Sequence, residues 1–549
     1  MTKLIRGAVL AAMACGLLLT QPSVASAQSV KDRAAVVFKI SSIDKVLDSV
    51  AYMVGEAGFR NFVPAITLGA GAFLEGFDTE RPLGGYLTLD GGVPNFVGFL
   101  PVDDLGDVID MLENNGVEIE EDGNDFIVIM PTGEELVIRG KGDWAYYSVN
   151  AEMLDDLPAD PSKIVGEISD DYVMGLQANI QRIPADLRSQ SIEWMEEAFD
   201  ETYANLPEGA ADFQRAVNES QLDQIADMIK QTDKIFVGFG TDKKSKMLFS
   251  EFTFTGTKGS DLAKSLTMGK NAKTDFSAFL DVKDAAMTLN SVTAVAQQDA
   301  DNAKSTLNLV KDQIGGMIRE GGNVDDADAE LIEELAGEVL DVLIATLDSG
   351  KFDMGAAVVA DEDGLNVLGG LHAVQAKKVE AAVKKLVAEK GDMIPPQIDI
   401  DLDAETYKGV TFHIISGSIP EEEAQAILGE TTTLLVGISA SKIYVGFGAN
   451  PVDKIKGIID GGSSEAKGKP MQMTITLSPI LRMAGKASGE DMMVQMADKL
   501  EEEGNQMIRV TSDFIENGQR TRMEMETGIL GLIEMGAAGF GGGQFGGDF

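Results

Sequence analysis

The segments WAYYSVN (residues 144–150) and IYVGFGAN (residues 443–450) decide the reading of the fold. Each is a short run of aromatic and aliphatic residues that reads as a strand, and each ends at an asparagine set before a helix. An asparagine there can accept a hydrogen bond from an unpaired N–H of the first helical turn. Pro451 suits the first helical position, where the missing N–H is no loss. Two such strand–Asn–helix units far apart in one chain suggest a repeat.

Further matches in the same order lie on either side of this pair. Upstream, Phe38-Lys39-Ile40 leads into a helix with Leu47 and Val50, and Phe279-Leu280-Asp281-Val282 leads into an expected helix with Leu289-Asn290-Ser291-Val292. Phe96–Val102 before the helix Asp103–Leu112 matches Val367–Val374 before Gln375–Leu386. Downstream, Tyr172–Asn179 before Ile183-Pro184 matches Met471–Leu477 before Ser478-Pro479. Lys234–Gly240 and Met247–Thr255 match Met507–Asp513 and Arg520–Glu526. The expectation is an α+β fold of two similar halves, 28–270 and 271–538. Adjacent short strands without intervening helices make each half a mostly antiparallel sheet flanked by helices. The acidic run around Asp325, Asp326 and Asp328 suits a helix start. The Gly-rich tail 539–549 reads as a flexible end.

The N-terminus reads as a secretory signal. Lys3 and Arg6 precede an apolar stretch from Gly7 to Leu19, and Ala25-Ser26-Ala27 is a small-x-small site with cleavage after Ala27. The apolar stretch is too short for the roughly 20 residues of a spanning helix. Ala12, three residues before Cys15, is where lipoprotein signals usually carry leucine. Cleavage would remove the only cysteine, leaving no thiol for disulfide, metal or nucleophilic chemistry. The expected location is the periplasm or the extracellular space.

Composition narrows the partners. Against 45 Lys+Arg stand 89 Asp+Glu, a formal net charge of −44 over 549 residues. Phosphate neutralisation needs clustered cations, so nucleic acid is excluded as a partner. At 44% hydrophobic residues the chain has ample material for real cores. An envelope protein or an apolar small molecule remains as the expected partner class.

Catalytic motifs are sparse. Of the two histidines, His372 ends one strand, and His413 alternates with Phe412 and Ile414, which would turn it to solvent. Ser439-Ala440-Ser441-Lys442 has the S-x-x-K spacing of acyl-transfer enzymes. It joins two strands, where a turn separates the pair instead of stacking it on a helix. Asp399, Asp401, Asp403 and Glu405 alternate, so a strand would project all four from one face as a weak calcium site or as a self-repelling edge. Ala404 and Val410 stand where an EF-hand loop needs Gly and Glu. The pairs Met471/Met473 and Met523/Met525 and the cluster Met492, Met493 and Met496 read as adaptable core filler ahead of copper ligands. No residue is assigned a catalytic or cofactor-binding role.

The layout, with Ile183-Pro184-Ala185-Asp186-Leu187-Arg188 opening a helix, resembles a family of exported bacterial proteins of unknown function with duplicated strand–helix segments. The resemblance implies export and fold and brings no catalytic residues. The functional expectation is a non-enzymatic binding or envelope-structural role. The alternatives are a carrier of an apolar ligand between sheet and helices, or a carboxylate-dependent hydrolase.

Overall fold

A computed structural model describes residues 29–540 except 72, 91, 131–132, 204–221, 223, 321–325, 362–363, 391–396, 463 and 466–468. The signal segment with Ala27, Asp325 and most of the Gly-rich tail lie outside the described residues. The chain divides into two compact units. The first comprises Met1–Gln190, Thr232–Thr255 and Glu524–Phe549; the second comprises Ser191–Gln231 and Gly256–Met523. These differ from a simple division at residue 270.

The first unit holds strands β1 (Val36–Ile40), β2 (Leu83–Asp90), β3 (Val93–Pro101), β4 (Glu118–Asp122), β5 (Asp125–Ile129), β6 (Glu135–Gly140), β7 (Trp144–Ser148), β8 (Met174–Asn179), β9 (Thr232–Asp242) and β10 (Met247–Gly256). Antiparallel pairing gives the order β9-β8-β1-β2-β3-β7-β6-β5-β4. β10 adds beside β9. One face packs Val37, Phe99 and Tyr146 beneath Leu154 and Val165. Phe99 meets Trp144 edge-on at 5.7 Å. The other face takes Val108 and Ile109 from the helix Leu105–Asn114 against Val128 and Ile138. Each such side chain contributes roughly 1.5–3 kcal/mol by leaving water.

The second unit holds β11 (Ala285–Ala294), β12 (Lys351–Asp361), β13 (Gly364–His372), β14 (Ile398–Tyr407), β15 (Val410–Ser418), β16 (Thr431–Ile438), β17 (Lys442–Gly448), β18 (Met471–Thr476), β19 (Met507–Ile515) and most of β20 (Gly518–Glu526). Antiparallel pairing gives the order β19-β18-β11-β12-β13-β17-β16-β15-β14. β20 follows β19, with Ser512 bonded to Thr521 at 2.8 Å. Its core face gathers Phe276, Phe279, Phe412, Leu435 and Ile455. Gly355 and Gly370 are direct cross-strand partners, and a Cβ on either would come within 2.4–2.6 Å of the Phe276 and Phe279 rings. Glycine there lets the two rings lie on the sheet.

The helices used below are α1 (Gln297–Glu320), α2 (Asp326–Asp348), α3 (Lys377–Lys390), α4 (Pro451–Gly461), α5 (Leu477–Ser488) and α6 (Asp491–Glu503). α2 and α3 cover the opposite sheet face through Val342 and Val379, with Ala376 just before α3, against Val436 and Ile438. α5 ends at Gly489 and α6 at Gly504, both left-handed glycines at φ 70° and 69°.

Two local expectations need correction. Leu289–Val292 lies in strand β11, not in a helix; its burial alternates with period two, as Thr288, Asn290 and Val292 face inward. Leu289 and Val292, spaced three apart, fit one helical face as well, and two apolar residues do not separate the two periods by themselves. Asn150 does accept from the Glu152 N–H at 3.0 Å, but it caps a single 3-10 turn. Asn450 makes no side-chain cap; its N–H donates instead to Asn366 Oδ1 at 2.8 Å, and Pro451 opens α4.

Candidate functional site

A cleft of about 680 Å3 opens on the second unit, a volume typical of small-molecule sites. Its floor is a ladder of threonines. Thr288 of β11 stands directly opposite Thr474 of β18, and Thr476 follows on the same face two residues on. One wall is α5, through Pro479, Arg482, Met483 and Lys486; Leu280 and Val282 form the other, and Ile427 adds a third apolar edge.

The position of α5 follows from local chemistry. Ser478, nearly fully buried, donates to Glu501 Oε1 at 3.2 Å, and its N–H donates to Gln506 Oε1 at 3.0 Å. Arg482 reaches Glu501 at 2.8 and 2.9 Å and Asp498 at 2.6 Å on α6. The hydrogen bonds from Arg482 hold the Glu501 carboxyl below the usual range. At Gly485 the helices approach so closely that a Cβ would lie 2.8 Å from Val494 Cγ2.

The charges around the cleft fall into two groups. Asp361 is paired with Lys454 at 2.8 Å, and Arg482 with Glu501. Asp284 and Lys486 also line the cleft, and neither has an ion-pair or hydrogen-bond partner among the described residues. The same holds for the side-chain hydroxyls of Thr288, Thr474 and Thr476. Thr288 is only 7% exposed as a residue, and its hydroxyl has no protein partner, although that oxygen is not sealed from the cleft.

The four alternating carboxylates do not share one face. Register slips between Asp401 and Glu405, leaving residues 402–404 opposite His413 alone. Asp403 sits in this bulge at φ 57°. Asp401 and Glu405 lie opposite Ile414 and Phe412, and Glu405 pairs with Lys456 of α4. Asp403 instead meets Lys384 of α3 at 2.8 Å.

His413 is 1% exposed and does not face solvent as alternation suggested. The bulge and α3 cover it. Its Nδ1 accepts the Asp403 N–H at 3.2 Å, which places the ring proton on Nε2, a buried atom with no hydrogen-bond partner. Burial pushes its pKa below the ordinary histidine value. Glu380, Asp403 and His413 bring donor atoms within 4.8 Å of one another. Lys384 Nζ bonds both Glu380, at 2.9 Å, and Asp403, at 2.8 Å. The hydrogen bonds to Asp403 and Glu380 raise the Lys384 pKa. An ammonium thus already supplies positive charge to this cluster, and a metal cation would have to displace it.

His372 lies beside a second charge cluster. Fully buried Asp353 accepts from Thr274 at 2.8 Å and the Asp275 N–H at 2.8 Å, and pairs with Lys351 at 2.9 Å. Asp275 also receives Lys351 at 3.0 Å and Lys442 at 3.2 Å. Burial, then the neighbouring Lys351, lowers the His372 pKa. Burial, then Asp275, pushes the Tyr444 hydroxyl up to about 12. The two carboxylates and two ammoniums satisfy one another.

Ser439 and Lys442 occupy the turn between β16 and β17. The serine Oγ accepts the Lys442 N–H at 3.1 Å, while the lysine ammonium goes to Asp275. Met496 is buried, but Met523 is 46% exposed and is not core filler.

The cleft residues were not singled out from the sequence. Thr474 and Thr476 alternate with Met473 and Ile475, so a period-two reading of β18 could have placed both threonines on one face. Thr288 required the pairing of β11 with β18, which sequence alone does not give. No family model, curated protein or solved structure matches the chain.

Proposed function

We propose that this chain is an exported, non-enzymatic binding protein whose two halves are copies of one α+β repeat, with a small ligand held in the cleft of the second unit. The observation that carries the reading is the cleft itself: a floor of threonines, with Thr288 buried and Thr474 and Thr476 half-buried, whose hydroxyls have no protein partner. Hydroxyls open to a cleft and not used within the protein can donate to and accept from a ligand. The acidic side chains at Asp275, Asp353, Glu380 and Glu501 are each matched by Lys or Arg. Such pairing favours a scaffold over a carboxylate hydrolase, which needs one protonated and one free carboxylate. Nine strands paired in the same chain order in each unit support the duplication. The signal features ending at Ala27 support export to the periplasm or beyond.

The test uses Nile red, a neutral apolar dye, titrated into the mature chain and into Met483→Trp, whose indole fills the cleft. The reading expects saturable binding that weakens about tenfold or more in the variant. No saturable binding, or equal binding to both proteins, would overturn it. A separate assay with ester, glycoside and peptide probes checks for turnover. Turnover that falls more than about 100-fold in Ser439→Ala or in His372→Ala/His413→Ala would contradict the non-enzymatic part.

A further inference from the structure

Building on the binding reading, we infer that the cleft takes a short oligopeptide with free termini and small apolar side chains. Two features of the site point to this class. Among the cleft's charged side chains, Asp361 is tied to Lys454 and Arg482 to Glu501. Asp284 and Lys486 have no partner among the described residues. The cleft therefore offers one free carboxylate and one free ammonium. That combination matches a ligand carrying one charge of each sign, and it disfavours a simple anion or cation, which would leave one of the two groups unmatched. A fatty acid, with a single negative end, fits less well.

The floor supplies the second feature. Thr288, Thr474 and Thr476 present hydroxyls that can both donate and accept, and Thr288 is more than nine-tenths buried with no partner. A peptide backbone brings N–H and C=O groups together, and such a floor can satisfy both. Leu280, Val282 and Met483 provide apolar surface for the side chains. In this assignment Asp284 receives the terminal ammonium, Lys486 the terminal carboxylate, and the threonines the amides between them. A volume of about 680 Å3 suits two or three residues.

The test is calorimetric titration of the full mature chain with Ala-Leu-Ala, with its N-acetyl form, with its C-terminal amide, and with phosphocholine. The free tripeptide should bind, and blocking either terminus should weaken it about tenfold or more. Lys486→Ala should weaken the free peptide to a similar degree while leaving the amide unchanged. Asp284→Asn should do the same with respect to the acetylated form. Thr288→Val should weaken all three peptides alike. Equal affinity for free and blocked peptides, or insensitivity to both charge variants, would overturn the assignment. Binding of phosphocholine without binding of the tripeptide would also overturn it and assign the cleft to a lipid headgroup. If Nile red binds wild type but not Met483→Trp while no peptide binds, the peptide assignment fails and the binding reading stands. If neither dye nor peptide binds, both fail.

Discussion

Asp275 is governed by two opposing effects. Burial would raise its carboxyl, but hydrogen bonds and charge from Lys351 and Lys442 outweigh this and hold it below the usual range. A depressed carboxyl stabilises the fold above its unfolded pKa, and that contribution is lost as pH falls through about 3.9 and below. Asp275→Asn should therefore cost about 2 kcal/mol at neutral pH, and the difference from wild type should shrink below about pH 4 in urea titrations. The histidines add a dependence in a higher window. Both are held below the ordinary value by burial; around His413 the acids Asp403 and Glu380 oppose this effect, and Lys384 and Lys377 add to it. A lowered histidine pKa means that the unfolded chain binds protons first, so stability is full above about 6.5 and falls as pH drops below it. His413→Gln should flatten that fall, measured by thermal melts between pH 7 and pH 5. His413→Ala should cost about 2–4 kcal/mol, since it leaves a cavity and an unpaired Asp403 N–H. None of these partnerships was legible in the sequence. Lys351 lies 76 residues from Asp275, and His413 was misplaced because strict alternation does not foresee a bulge on the neighbouring strand.

Elements were more legible than partners. Strand-like runs located β13 and β17 through β20, and the expected helix Gln375–Leu386 corresponds to α3. At Leu289 the helix expectation rested on two apolar residues, Leu289 and Val292, spaced three apart, too few to fix the period. The α5–α6 hairpin gives a direct element-level prediction. Gly485→Ala would press its Cβ against Val494 and the Glu490 carbonyl, so it should destabilise the protein by about 1–3 kcal/mol. Val494→Ala in the same chain should recover part of this loss, and chemical denaturation of the single and double variants checks both. Edge strands give another. β4 carries Glu118, Glu120, Glu121 and Asp122, and β14 carries exposed Asp399 and Asp401; each is paired on one side only among the described residues. Charge at an open edge discourages strand addition by another copy. Replacing Glu118, Glu120, Asp399 and Asp401 with threonine should produce concentration-dependent association in sedimentation velocity, while the wild-type protein shows less.

At the scale of the whole molecule, each unit orders its strands alike: the third strand meets the seventh, and the eighth meets the first. Order along the chain was readable because turns and aromatic strands punctuate it. Pairing was not readable, since β8 and β1 join residues more than a hundred positions apart. The proposed signal makes its own prediction: intact mass and N-terminal sequencing of the native protein should give a chain beginning at Gln28, whereas a start at Met1 or a lipid on Cys15 would contradict export by cleavage after Ala27. The central claim is that the second-unit cleft is a ligand site, and crystals of the wild-type protein soaked in a mixture of small amphipathic fragments test it most directly. The account predicts bound density against Thr288, Thr474 and Met483, with fragment polar atoms on the threonine hydroxyls. Fragments that cluster only on other surfaces, with the threonine floor bare, would contradict it.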